Sequence, residues 1–172
     1  AFVGQCLYQG YFHTGDPLAR LDRFDAFSEI SCLRAGQSLW PQMDYGLIAA
    51  LRAHHPGLRF LASWRDPRAL SDSMLRWSDL GSARLPGSDV PGLPAGFGAT
   101  TAERVRWIAG HYAHLSALFR DDPAFLLYDL DDPAAPARIG AHIGRPLPWW
   151  GRANANDDAT DTADASPARG AA

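Results

Sequence analysis

The stretch LRFLASWRDPRALSDS, residues 58–73, decides how the chain around it folds. Its first part, residues 58–64, is a short and mostly apolar run of the length that a buried strand has. Asp66 and Pro67 follow almost directly, and an N-cap aspartate before a proline is a common way to begin a helix. The stretch therefore predicts a strand, a tight turn and a helix, with Arg65 at the carboxyl end of the strand.

The same alternation of strand and helix continues on both sides of this stretch. Two further apolar runs, residues 26–33 and 125–130, predict strands because they contain neither glycine nor proline. An alternating order of this kind predicts an α/β fold, with a parallel sheet between two layers of helices. Caps, helical spacing and stop signals predict helices over about 16–23, 41–55, 66–80, 100–119 and 132–144.

The remaining segments predict one folded domain with a long loop and a tail. Residues 2–12 are apolar and aromatic with two interspersed glycines, and we interpret them as the end of a helix. Glycine and proline crowd residues 81–98, which predicts a long loop, and such loops are often lids or binding loops. Residues 157–172 contain no large apolar side chain, so we expect a disordered tail there. The domain is therefore expected over residues 1–156.

The charge and composition of the chain exclude several classes of protein. The 172 residues carry 16 basic and 19 acidic groups, a formal net charge of -3. Without an excess of positive charge, no nucleic-acid partner is expected. No run approaches the roughly 20 apolar residues that cross a bilayer, so we expect no membrane span. Two cysteines, Cys6 and Cys32, are too few for a disulfide framework, which favours a cytoplasmic protein.

Two further kinds of site are disfavoured by residue type and spacing. All 16 basic residues are arginine, and the phosphate loop G-x-x-x-x-G-K-[ST] of nucleotide kinases needs a lysine. A nucleotide-phosphate kinase is therefore a weak hypothesis. His111 and His114 share one face of a predicted helix, but the sequence places no third ligand beside them, so no metal site is expected.

Arg65 is the strongest candidate for chemistry, because ligands of parallel sheets bind beyond the carboxyl ends of the strands. A helix start presents unpaired N–H groups that favour an anion, and a guanidinium adds a fork that matches phosphate oxygens. Ser73 lies two helical turns further on, roughly 10 Å along the axis, where it can touch a ligand that Arg65 also holds. The alternative is that Arg65 only pairs with Asp66 or Asp72 on a solvated surface.

The segment FLASWRDPRALSDS, residues 60–73, resembles the strand and helix that bind the 3'-phosphate in sulfotransferases. In that family an arginine ends the strand, a proline follows two places later, and a serine lies eight places after the arginine. Arg65, Pro67 and Ser73 match all three positions. With its flanking blocks the chain resembles bacterial-type sulfotransferase family proteins over about residues 13–156. These blocks are FDAFSEI, WPQMDYGLIAALRAHHPGLRF, GLPAGFGATTAERVRWIAGHY, FLLYDLDDP and IGRPLPWWGRANAN.

The resemblance implies a three-layer α/β/α sulfotransferase fold, related in layout to the P-loop nucleotide-binding proteins. It also implies transfer of a sulfuryl group from 3'-phosphoadenosine 5'-phosphosulfate (PAPS) to an acceptor hydroxyl or amine that the sequence does not identify. Arg65 and Ser73 would then bind the 3'-phosphate of this co-substrate.

The resemblance also implies roles for residues outside this segment. Glu29, near the end of a predicted strand, matches the catalytic base by position, and the alternative is a carboxylate that only pairs at a strand end. Arg152 lies where relatives often close a basic loop over the nucleotide. Trp149 and Trp150 either flank the adenine or seal the edge of the core.

The sequence departs from the family's pattern at its front. Sulfotransferases wrap the 5'-phosphosulfate in a loop after their first strand, and nothing before Asp25 resembles that loop. We therefore expect the family's first strand and loop to be missing. The alternative is a catalytically inactive sulfotransferase-fold module that binds a nucleotide or a partner. The loop over residues 81–98 is expected to be either an acceptor-binding lid or a flexible connection.

Overall fold

The computed structural model describes residues 2–34 and 36–151, in which helices and short strands are mixed. None of the helices in these two ranges is both long and apolar enough to cross a membrane. The helices are α1 (Phe2–Thr14), α2 (Tyr45–His54), α3 (Pro67–Arg76), α4 (Thr101–Leu118) and α5 (Ala135–Ile143). The strands are β1 (Cys32–Arg34), β2 (Gln37–Leu39), β3 (Phe60–Trp64) and β4 (Phe125–Asp129).

The strands form two small sheets. β1 and β2 pair antiparallel as a hairpin, whereas β3 and β4 pair parallel. In the parallel pair Phe60 lies opposite Phe125 and Trp64 lies opposite Asp129, so both strands end at one edge. The predicted α/β class with a parallel sheet is confirmed in this coarse form, but the parallel sheet of the described residues has two strands rather than three.

The helix starts that the sequence predicts after residue 60 are confirmed at two places. Asp66 caps α3, and Pro67 is its first residue. Thr100 and Glu103 form the predicted capping box of α4, in which each side chain bonds to the other residue's backbone N–H. These caps satisfy donors that lack partners inside the helix, which is why such short signals predict helix starts well.

The prediction of a strand over residues 26–33 is wrong for most of its length. Only Cys32 and Leu33 are in a strand, and that strand belongs to the antiparallel hairpin. The preceding residues have no regular structure, yet Phe27 and Ile30 pack against the apolar core between α1 and α2. Gly4 allows this packing, because a Cβ atom there would overlap with the carbonyl oxygen of Ile30.

The helix predicted over residues 16–23 is also wrong. Asp16 does accept a hydrogen bond from the backbone N–H of Leu18, at 2.9 Å, but the chain then continues in turns. The same carboxylate lies 2.7 Å from Nε2 of His55 at the end of α2. Leu21 is buried in the core between α1 and α2. These tertiary contacts hold the segment as a series of turns instead of a helix.

The parallel sheet packs on α2 and α4 through one of its faces. Phe60, Ala62 and Phe125 contact a buried cluster of Ile48, Leu115 and Phe119, and the rings of Phe119 and Phe125 stack with centroids 4.4 Å apart. On the other face of β3, Leu61 remains 43% exposed. Helix α5 contacts β4. These contacts hold one face of the sheet against α2 and α4.

One charged side chain is enclosed where α3, α4 and the preceding loop meet. Arg104 is 1% exposed and donates four hydrogen bonds. Its guanidinium bonds to Oγ of Ser71 in α3 at 2.9 Å, and to the carbonyl oxygens of Gly98 and Ala99 at 2.8 Å each. The hydroxyl of Thr101 accepts the fourth, at 3.3 Å. A single guanidinium therefore joins two helices and a loop.

Arg104→Ala is expected to lower the free energy of unfolding by about 3 kcal/mol or more, because it leaves buried acceptors unpaired and opens a cavity. Arg106→Ala, which removes an exposed arginine of the same helix, should change it by less than about 0.5 kcal/mol. Urea denaturation of the two variants beside the parent protein measures both values. Equal losses would contradict the anchoring role of Arg104.

Candidate functional site

The carboxyl edge of the parallel sheet brings Arg65 next to α4. The pairing of Trp64 with Asp129 aligns the two strand ends, and the N–H of Leu130 donates to the carbonyl oxygen of Trp64 at 3.3 Å. Arg65 follows directly and is half-buried. Its backbone N–H donates to Oη of Tyr112 in α4, at 3.1 Å. The main chain at the predicted phosphate-binding arginine is thus held by a side chain of the neighbouring helix.

The start of α3 is capped from within the chain. Oδ1 of Asp66 accepts hydrogen bonds from the backbone N–H groups of Arg68 at 3.0 Å and Ala69 at 2.9 Å. The first donors of the helix therefore already hold a carboxylate. Among the described residues Arg65 forms no ion pair, so the expected alternative of pairing with Asp66 or Asp72 is not observed. An anion at this edge would depend on the guanidinium of Arg65 more than on the helix start.

Ser73 is half-buried in α3, whereas Ser71, the other serine of this helix, is enclosed. Ser71 is fully buried and bonds to Arg104, so its hydroxyl belongs to the anchor between α3 and α4. Within the described residues no hydrogen bond joins Ser73 to Arg65. Both candidates have side chains that are partly open to solvent, as a shared ligand would need.

Glu29 is exposed and lies in the irregular stretch before β1, not at the end of a strand of the parallel sheet. Its φ of 51° places a residue other than glycine in the left-handed region. The structure describes no hydrogen bond or ion pair between Glu29 and Arg65. The strand that was expected to position Glu29 is therefore absent, and its role as a base stays a prediction.

The carboxyl-terminal candidates lie at the limit of the described chain. Arg152 and the tail over 157–172 are outside the described residues. Trp149 is 63% exposed, so it does not seal the core. Trp150 makes an edge contact with Tyr128 of β4, with ring centroids 6.1 Å apart. Trp150 therefore contacts the sheet through Tyr128.

Sequence reasoning missed a cavity of about 740 Å³ between α4 and the glycine- and proline-rich loop. The sequence does carry a signal for it, because the six lining residues from α4 recur three or four positions apart, which places them on one face of the helix. We call this space the α4 cavity. Its lining residues from α4 are Glu103, Arg106, Trp107, Gly110, His111 and His114, and the others are Met43, Gly92, Leu93, Pro94 and Phe97.

Burial shifts the pKa values of two adjacent side chains on α4, those of His111 and Tyr112. Desolvation, together with the charge of His114, lowers the pKa of His111 from its ordinary value of 6.5. Desolvation raises the pKa of Tyr112 above its ordinary value of 10.0, although its contacts with Arg65 oppose this shift. The phenol of Tyr112 therefore keeps its proton near pH 7, and the imidazole of His111 stays neutral.

Comparison of the chain with protein-family models, with curated proteins and with solved structures gives no match. Within residues 2–34 and 36–151, no three or more histidine, cysteine, aspartate or glutamate residues are grouped to hold a metal ion. Both cysteines are buried and free of disulfide bonds. The case for any function therefore depends on the residues at the sheet edge and along α4.

The lowered pKa of His111 predicts a loss of stability in mild acid. The unfolded chain takes up a proton near pH 6.5, whereas folded His111 takes it up only at lower pH, so acid favours unfolding as the pH falls below about 6.5. His111→Gln should reduce the fall in unfolding free energy between pH 7 and pH 5. Urea denaturation of the variant and the parent protein at the two pH values measures the fall. An unaltered fall in the His111 variant would contradict its neutral state.

Proposed function

We propose that this chain is a sulfotransferase-type domain that transfers a sulfuryl group from PAPS to an acceptor hydroxyl or amine. Arg65 and Ser73 bind the 3'-phosphate of the co-substrate in this proposal. The observation that carries it is the place of Arg65, directly after β3 at the edge where both parallel strands end. Ligands of parallel sheets bind at such edges, and an arginine offers a phosphate two parallel hydrogen bonds.

At this edge, one charged group favours a bound 3'-phosphate and another opposes it. Arg65 supplies the positive charge, and its main chain is held in place by Tyr112. The hydroxyl proton of Tyr112 remains available to a ligand, because the phenol accepts from Arg65 and keeps its own proton. The carboxylate of Asp66 opposes an anion at the same helix start. The affinity therefore has to come from Arg65 and the hydroxyl groups.

The transfer step needs a group that accepts a proton. A bond forms between the acceptor's oxygen or nitrogen and the sulfur, while the bond from sulfur to the 5'-phosphate oxygen breaks and leaves its electron pair on that phosphate. The acceptor's proton passes to a base, for which the resemblance implies Glu29. Arg152 would add a positive charge near the nucleotide. PAPS is consumed as a co-substrate, and the proposal involves no metal ion.

A second candidate function is a catalytically inactive module of the same fold that binds a nucleotide or a partner. The position of Glu29 favours it, because this carboxylate is exposed and lies outside the parallel sheet. Binding of the nucleotide product without transfer of the sulfuryl group would identify this alternative. The two functions share the role of Arg65 and differ in the role of Glu29.

Removing the Arg65 side chain is expected to abolish the preference for a nucleotide with a 3'-phosphate over one without it. The parent protein should bind 3'-phosphoadenosine 5'-phosphate more tightly than adenosine 5'-phosphate by about 1.5 to 3 kcal/mol, which is a factor of about 10 to 150. Arg65→Ala should remove this difference, and Ser73→Ala should reduce it. Because Tyr112 bonds to the main chain of Arg65, the variant keeps that contact. Titration calorimetry measures the six affinities of the three proteins for the two nucleotides.

The matched control for this experiment is Arg68→Ala, which removes an exposed arginine from the same helix start. It should retain the preference for the 3'-phosphate, because its backbone N–H still bonds to Asp66. Equal affinity of the parent protein for the two nucleotides would refute the assignment of Arg65 and Ser73.

Glu29→Gln is expected to abolish sulfuryl transfer while leaving nucleotide affinity unchanged, since glutamine has a similar shape but accepts no proton at neutral pH. Asp25→Asn, at a nearby exposed carboxylate, should retain transfer and serves as the control. A radiolabelled-sulfate assay on the full-length protein with a panel of hydroxyl and amine acceptors measures the rates. Undiminished transfer by the Glu29 variant would assign the base to another residue.

A further inference from the structure

The α4 cavity has the residue pattern of a binding site for a small amphipathic molecule. One face of α4 forms its floor over the twelve residues from Glu103 to His114, about 16 Å along the helix axis. Apolar side chains line the other side of this space, which is open to solvent, and one of them, Phe97, is 53% exposed at its rim. A cavity with mostly apolar walls and a few polar groups is the usual form of a small-molecule site.

Gly110 keeps the middle of the floor open. A glycine inside a helix costs roughly 1 kcal/mol relative to alanine, so its place in the middle of α4 calls for a reason. Packing does not supply one, because a Cβ atom at this position would meet no other atom within 4 Å. The effect of the missing side chain is therefore to leave space in the cavity between Trp107 and His111.

Among the polar groups of the cavity, Arg106 is the one that can bind a negative charge on a ligand. Arg106 is exposed and forms no ion pair within the described part of the chain. The carboxylate of Glu103 keeps its negative charge, but it is bonded to the loop backbone, since Oε2 accepts from the N–H groups of Gly98 at 3.1 Å and Thr100 at 3.0 Å. Arg106 is therefore the group at the cavity that remains to pair with an anion.

Two histidines line the same cavity one helical turn further along α4. Nδ1 of His111 and Nε2 of His114 are buried and have no hydrogen-bond partner among the described residues. Neither ring is tied to another side chain by a hydrogen bond in that part of the chain. One nitrogen of each ring is therefore left without a hydrogen-bond partner from the described chain beside this end of the cavity.

The loop that forms the opposite wall is held in place by hydrogen bonds within the chain. Nε1 of Trp107 donates to the carbonyl oxygen of Pro91 at 2.9 Å, and Oδ1 of Asp89 accepts from the N–H of Ala95 at 3.0 Å. Gly98 adopts a φ of 95°, and its N–H bonds to Glu103 while its carbonyl oxygen bonds to Arg104. A preformed wall lowers the entropic cost of binding.

We propose that the α4 cavity binds a small aromatic carboxylate, with its ring system against Trp107 and Phe97 and its carboxylate on Arg106. The aromatic walls favour a flat ring, and the cavity volume suits a molecule of one or two fused rings. The carboxylate matches the planar fork of the guanidinium. This site is separate from the sheet edge that carries Arg65, and it does not depend on the proposed sulfuryl transfer.

The test titrates the protein with 2-naphthoate and, separately, with 2-naphthalenemethanol, which carries a neutral hydroxymethyl group on the same rings. Calorimetry should show one site that binds the carboxylate about tenfold more tightly than the alcohol. Arg106→Gln should remove this preference and leave the affinity for the alcohol unchanged. Gly110→Leu, which adds a side chain inside the cavity, should weaken both ligands by about tenfold or more.

Gly57→Leu is the matched control for the glycine variant, because a Cβ there also meets no atom within 4 Å and Gly57 does not line the cavity. It should bind both ligands as the parent does. The thermal midpoint of Gly110→Leu should be unchanged or raised, since leucine is a better helix former than glycine. Normal binding by folded Gly110→Leu, a preference that survives in Arg106→Gln, or no binding of 2-naphthoate at millimolar concentration would each overturn the proposal.

Discussion

The burial of the Arg104 guanidinium is the constraint on which the rest of this structure depends. A charge removed from water is costly unless acceptors surround it, and here carbonyl and hydroxyl oxygens fill that role. The chain before α4 must therefore turn the carbonyls of Gly98 and Ala99 inward, and α3 must present Ser71 to α4. The loop wall of the α4 cavity and the helix that follows Arg65 are positioned by the same side chain.

Helix α4 consequently contributes side chains both to the α4 cavity and to the sheet edge at Arg65. Successive residues of a helix point about 100° apart, so His111 and Tyr112 face different neighbours. His111 lines the α4 cavity, whereas Tyr112 accepts a hydrogen bond from the main chain of Arg65 at the sheet edge. Burial favours the neutral form of both side chains. Both candidate sites are therefore built on one rigid element, which is held to the parallel sheet through Leu115 and Phe119.

The predictions that succeeded rest on interactions within a few residues of the chain. The cap at Asp66, the capping box of Thr100 and Glu103, and the apolar runs of β3 and β4 are all local patterns. The prediction over residues 26–33 failed because an apolar run has the same appearance in a strand and in an irregular segment that packs on helices. Local residue types do not distinguish these two uses.

Two important features of α4 were missed although the sequence carries a signal for both. Arg104 recurs with Ile108 and Leu115 on the face of α4 that is buried, which marks it as an arginine in the core. The cavity residues recur on another face of the same helix. The sequence by itself determined where most helices and strands form, because caps, prolines and apolar runs act on neighbouring residues. Only the tertiary structure decided which strands pair, which acceptors surround Arg104 and where a cavity opens, because these depend on surfaces that meet across distant parts of the chain.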